Sequence, residues 1–276
     1  MEIQKIKKTF QATKHSSTAD QQVRDDIVVE EALQININGK PYTVTMRTPG
    51  SDQFLVRGLL YTEGIYNGMQ PLEVKLIDKL DNDVPSSVGV WIPHDSIGDA
   101  YFHSRSMLSV SSCGICGKKE LSDLAIEGKK LNVNYDLEAG MVSRLFSSMK
   151  SRQKTFMETG GSHAAAAFTR KGELLACEED IGRHNAVDKV IGSLLSQNKL
   201  GEAAIMLVSG RISYEIVSKT FKAGIPYLAA VSSPSSLAIE TADAFGISLM
   251  AFCRADSVTC YTHPERVIGS IATMTN

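Results

Sequence analysis

Three short apolar runs near the C-terminus, residues 203–208, 227–231 and 247–252, limit what this chain can fold into more than any other feature. Each has the length of a strand buried on both faces, and segments with helical periodicity, 213–222 and 235–245, separate them. Gly210 ends the first run, Gly224 and Pro226 close the first helix, and Gly246 closes the second. Strands joined in this order by helices form a parallel sheet with helical cover, because a parallel pair needs a long crossover. Upstream, residues 164–168 and 174–177 bracket the turn Arg170-Lys171-Gly172. Ala186, Val187, Val190, Ile191, Leu194 and Leu195 then line one face of a further helix.

The first half reads as α+β. Leu33, Ile35 and Ile37 alternate with polar residues, and Asn38-Gly39 is a hairpin turn signal ahead of residues 42–46. Phe54, Leu55, Gly58, Leu59 and Tyr61 recur at helical spacing, with further strands expected near 72–77 and 88–92. A short helix over 121–127 and a longer one over 137–149 precede a basic stretch, 150–154. The expected division is a mobile polar tail over 1–25, an α+β domain over 26–150 and an α/β domain over 151–276. A chain of 276 residues is long enough for two such cores. A formal net charge of −2 argues against a general nucleic-acid binder. No apolar signal core follows the N-terminus and no apolar stretch is long enough to span a bilayer, so a cytoplasmic protein is expected, with no membrane partner.

Chemistry concentrates in a few places. Of five cysteines, two form Cys113-x-x-Cys116, interleaved with Gly114 and Gly117 and followed by Lys118 and Lys119. Glycine gives the loop adaptable backbone, and the lysines favour a thiolate. A structural zinc site needs four ligands, and Cys177, Cys253 and Cys260 are scattered, so zinc within one chain is a minority reading and no resident metal is expected. A thioredoxin-type redox site lacks its early βαβ unit. Sulfur carriage as a cysteine persulfide fits the loop best, with a cofactor-binding chaperone or a zinc-stabilised module as alternatives.

A second set of residues is suited to a ligand. Gly160 and Gly161 precede His163, and a zinc deaminase would need glutamate where Ala165 stands. Arg183 and His184 open a helix on which His184 and Asp188 share a face, as do Asn185 and Lys189, with Asp180 or Asn185 as its cap. The ends of the three apolar strands carry Ser209-Gly210-Arg211, Ser233 and Ser235, and Cys253-Arg254. Ligands of open parallel sheets bind outside the carboxyl ends of the strands, where helix N-termini and arginines receive phosphate. Neither a Walker loop nor a Gly-x-Gly-x-x-Gly fingerprint is present.

In order, the stretches 46–50, 111–117, 159–165, 179–192, 209–215, 223–226, 230–237 and 261–266 resemble the FdhD/NarQ family of formate dehydrogenase accessory sulfurtransferases. The resemblance implies a cytidine-deaminase-like three-layer α/β domain without zinc chemistry, beside a smaller α+β domain, in a homodimer. It implies sulfur accepted from an L-cysteine desulfurase on Cys113, with Cys116 in support. That sulfur would pass to the molybdenum of bis-molybdopterin guanine dinucleotide before the cofactor enters the formate dehydrogenase catalytic subunit. The cofactor-binding stretch carried over from the family is Phe252, Cys253, Arg254, Ala255, Asp256 and Ser257.

Overall fold

A computed structural model describes residues 6–68, 70, 72–103 and 128–269. In chain order the strands and helices begin with β1 (Lys7–Lys14), β2 (Gln21–Val28), β3 (Glu31–Ile37), β4 (Lys40–Arg47) and α1 (Asp52–Thr62). Next come β5 (Val74–Lys79), β6 (Pro85–Val90), α2 (Ala100–His103), β7 (Leu137–Glu138), α3 (Ala139–Lys150) and α4 (Lys154–Thr159). The remainder is β8 (His163–Phe168), β9 (Leu174–Asp180), α5 (Arg183–Ser196), β10 (Ile205–Val208), α6 (Tyr214–Lys222), β11 (Tyr227–Ala230), α7 (Ser236–Phe245), β12 (Ser248–Ala251), β13 (Thr259–Cys260) and β14 (Val267–Ile268).

The large sheet runs β13-β12-β11-β10-β8-β9, with β10, β11 and β12 parallel as their apolar runs require. The flanking strands β8, β9 and β13 are antiparallel additions. Period-2 alternation divides each strand between two cores. Met206, Val208, Leu228, Ala230 and Leu249 face α5, α6 and α7, while Ile205, Leu207, Tyr227, Ala229 and Met250 face α3. The result is a three-layer α/β unit.

The smaller unit is α+β: a sheet ordered β4-β3-β6-β5 whose inner side, with Leu33, Ile35, Ile37 and Val90, packs on Leu55, Val56 and Leu60 of α1. The two units meet where α1 crosses α5. A Cβ on Gly58 would lie 1.9 Å from the Asp188 carbonyl oxygen, and one on Gly192 would lie 1.9 Å from that of Phe54. The helices therefore touch backbone to backbone, and only glycine fits.

Two expectations about domain organisation need correction. The stretch 1–25, expected to be a mobile polar tail, supplies most of the antiparallel ribbon β1–β2, in full register from Lys7↔Val28 to Lys14↔Gln21. Its polar composition reflects two exposed faces rather than an absence of strand pairing. The boundary also falls earlier than residue 150. Leu137, Val142, Leu145 and Met149 are buried in the core beneath the large sheet, so α3 is the outer layer of the α/β unit. The basic stretch after α3 turns the chain toward α4 and does not separate domains.

Candidate functional site

Because β10, β11 and β12 are parallel, their carboxyl ends share one edge of the sheet, and the loops leaving them are tied together there. Ile212 N donates to Ser233 O (3.1 Å) and Ser235 N to Ile212 O (2.9 Å). Phe252 N donates to Ser232 O (3.3 Å) and Cys253 N to Ala230 O (3.1 Å). Strand β8 is antiparallel to β10, so its first residue reaches the same edge: Ser209 N donates to Ala164 O (2.9 Å), and His163 Nδ1 lies 3.5 Å from Ser209 Oγ. The end of β9 and the start of α5 follow, since His163 pairs with Asp180.

The edge thus gathers His163, Arg183, His184, Ser209 and Arg211 at one end, Ser233 and Ser235 in the middle, and Phe252–Ser257 at the other. Three strand spacings of roughly 4.8 Å separate β8 from β12, about 14 Å in all, a span suited to an extended nucleotide. Burial holds the His163 imidazole below its ordinary range, and the positive field of Arg183, His184 and Arg211 pushes it the same way against the opposing pull of Asp180. Phe252 sits at φ 50 and is 42% exposed, offering a ring face on the rim. Arg254 donates from Nη1 to Val231 O (2.6 Å) and Cys253 O (2.9 Å), and its backbone N donates to Ser257 O (2.7 Å). Ala255 and Asp256 form the exposed tip of that loop.

Several predicted residues have plain structural work. Gly160, at φ 66, ends α4 in the left-handed conformation, and Gly161 packs beside Val28 of the ribbon. Ser209 Oγ accepts from Ala164 N (2.9 Å), and Ser235 caps α7 by accepting from Ala238 N (3.2 Å). The cap expected at α5 is different: Gly182 is the N-cap, and neither Asp180 nor Asn185 caps it. Asp180 is fully buried instead, bonded to Gly182 N, Asn185 Nδ2, Thr48 N and, at 2.7 Å, Lys189 Nζ.

Lys189 also donates to Thr48 O (2.9 Å) and Glu179 O (3.3 Å), while Asn185 Nδ2 donates to Met46 O (2.8 Å). Arg47 is buried in a two-pronged pair with Asp52 (2.9 and 3.1 Å). The Met46–Gly50 motif is therefore a clasp between the two units. A second buried cluster joins Lys219 to both oxygens of Asp188 (2.9 and 2.8 Å) and to Thr62 (2.9 Å). Burial alone would lower the Lys219 pKa, but Asp188 and Glu63 outweigh it and hold the ammonium above its usual range. Sequence reading paired Asn185 with Lys189 and His184 with Asp188 by helix face, and missed partners lying more than a hundred residues away. It also missed Glu215, whose Oε2 stands 2.9 Å from His184 Nε2, with Ser213 Oγ 3.2 Å from the same nitrogen.

Burial raises the thiols of Cys177 to about 11 and Cys253 to about 12, and raises Cys260 as well. These three are poor nucleophiles. Cys113 and Cys116 lie outside the described residues. Among the described residues, no cluster of three or more metal-ligating side chains occurs, and no helix is long and apolar enough to cross a membrane.

Fold and site together define a three-layer α/β unit clasped to a smaller α+β unit, with a ledge of histidine, serine and arginine residues along the strand ends. The chain belongs to the FdhD/NarQ family, whose profile it matches over residues 28–268. It is 42% identical over 270 residues to the sulfur carrier protein FdhD of Sulfolobus acidocaldarius, covering 97% of this chain and 99% of that one. The proteins of the same name from Thermoplasma acidophilum and Mycobacterium tuberculosis are also 42% identical, covering 88% and 91% of this chain and 87% and 95% of theirs. A crystal structure from Desulfotalea psychrophila, described as a "putative formate dehydrogenase accessory protein", shares the fold with a TM-score of 0.75 at 20% identity, covering 95% of this chain and all of that one.

Proposed function

We propose that this protein is a sulfur carrier serving formate dehydrogenase. Cys113 accepts sulfane sulfur from an L-cysteine desulfurase as a persulfide and passes it to the molybdenum of bis-molybdopterin guanine dinucleotide before the cofactor enters the enzyme. The observation that carries this reading is family membership along nearly the whole chain, with relatives named as sulfur carriers. Two features support it. The described thiols are held protonated by burial, which leaves the glycine-flanked pair Cys113 and Cys116, beside Lys118 and Lys119, as the better candidates for thiolate chemistry. The ledge of His163, Arg183, Arg211 and Arg254 supplies the cations and hydrogen-bond donors that a phosphate-bearing cofactor needs.

In the loading step the Cys113 thiolate attacks the outer sulfur of the desulfurase persulfide. The donor S–S bond breaks as the new one forms, and the donor leaves as a thiolate, so the exchange is redox-neutral overall. Cys116 supports the loaded form. The α/β unit holds the acceptor, in a cytoplasmic homodimer.

Intact mass and peptide mapping after incubation with a desulfurase and L-cysteine test this directly. One added sulfur on Cys113, removed by reductant and absent in Cys113→Ala, is expected. No adduct with a competent desulfurase would overturn the reading.

A further inference from the structure

Glu215 stands on the first turn of α6 and is 9% exposed. Its Oε2 is held by His184 at 2.9 Å, whereas Oε1 is buried with no hydrogen-bond partner. Among the described residues Oε1 has no donor, and although the Lys219 ammonium acts on this carboxylate, a buried oxygen left without a hydrogen bond still carries a desolvation cost. The Nε of Arg183, next to His184 in sequence, is also buried and unpartnered. The unmet acceptor thus adjoins His184 at the start of α5, and the unmet donor, one residue before it, lies with His163 against Gly210 after β10.

Resting on the cofactor reading above, we propose that Glu215 reads the 2-amino-4-oxopyrimidine edge shared by guanine and by the pterin of molybdopterin. This makes it a specificity-determining residue of the site. That edge places a ring N–H beside an exocyclic NH2, two adjacent donors for which a carboxylate is the matching acceptor. Adenine sets a bare ring nitrogen at the equivalent place and meets the carboxylate lone pair to lone pair, which is repulsive. His184 orients the group through one lone pair of Oε2, leaving Oε1 to accept from the exocyclic NH2 and the other lone pair of Oε2 to accept from the ring N–H. Arg183 and Arg211 lie on the same ledge and meet the phosphates, so the two ends of the nucleotide face opposite charges.

Calorimetry on the full chain with GDP and IDP, which differ only in the 2-amino group, provides the test. GDP is expected to bind about tenfold tighter than IDP or better, because a site built to bond a donor discriminates against the analogue lacking it. Glu215→Gln is expected to bring the two affinities together mainly by weakening GDP. Glu215→Ala, checked for folding by its melting curve, is read beside it, and the wild-type ratio needs no variant. A parallel pair, pterin against lumazine followed by pterin fluorescence, separates the sources. Discrimination confined to that pair assigns Glu215 to the pterin half, and discrimination confined to GDP assigns it to the guanine half. Equal binding within both pairs overturns the inference while leaving the cofactor reading intact. Failure of all four probes to bind overturns both.

Discussion

At the scale of single residues, the charges that matter most are those withdrawn from water. Lys189 and Asp180 are fully buried, and each satisfies the other while bonding backbone of the opposite unit. Removing one partner strands the other, so Lys189→Met is expected to cost about 3–5 kcal/mol in a denaturant titration. On the ledge, Arg254→Ala removes two bonds that order its loop along with the positive charge. GDP affinity is expected to fall about tenfold by calorimetry, in keeping with charge-assisted bonds. His163 adds a pH dependence. Its folded pKa lies below the unfolded value of 6.5, so its contribution to stability is present above 6.5 and is lost as pH falls through the folded pKa. An anion at Arg183 and Arg211 cancels part of the field that depresses it, so nucleotide binding takes up a proton there and tightens as pH falls through that window. Imidazole proton shifts, titrated with and without GDP, are expected to show the bound curve displaced upward. The ledge residues were legible in the sequence because strand ends are local signals. The partnership of Asp180 with Thr48, 132 positions away, leaves no local trace, and a carboxylate near a helix start reads simply as a cap.

At the scale of elements, periodicity located most strands and helices of the α/β unit, since glycine, proline or serine punctuates the chain after β10, β11, α6 and α7. It could not assign α3 to a core, because an amphipathic helix shows that one face is buried but not against what. Nor could it find the ribbon β1–β2. A strand exposed on both faces has no apolar alternation to betray it, and its register is held by backbone pairing and by Lys7, which bridges Asp26 and Glu158 at 2.8 Å each. The crossing of α1 on α5 was visible only as Gly58 and Gly192 within helical patterns. Gly192→Ala forces a methyl into the Phe54 carbonyl, and overpacking of this kind costs about 1–3 kcal/mol. A thermal melt is expected to drop by several degrees, whereas Gly201→Ala, with nothing within 4 Å, leaves it nearly unchanged.

At the scale of the whole molecule, two cores are fastened by contacts that neither could satisfy alone. Met46, Arg47 and Thr48 come from the α+β sheet, and Asp180, Asn185 and Lys189 from the α/β unit. Equilibrium unfolding followed at Trp91, in the smaller unit, and by far-ultraviolet circular dichroism is expected to give coincident transitions, as cooperative unfolding requires. Separate transitions would show that the units fold independently. The clasp also has a genealogical consequence. Its donors and acceptors are divided between the first and second halves of the chain, so a recombination that joins the front of one relative to the back of another must deliver both sides in matching form or leave buried charges stranded. The two halves are therefore bound to descend together, as one heritable block.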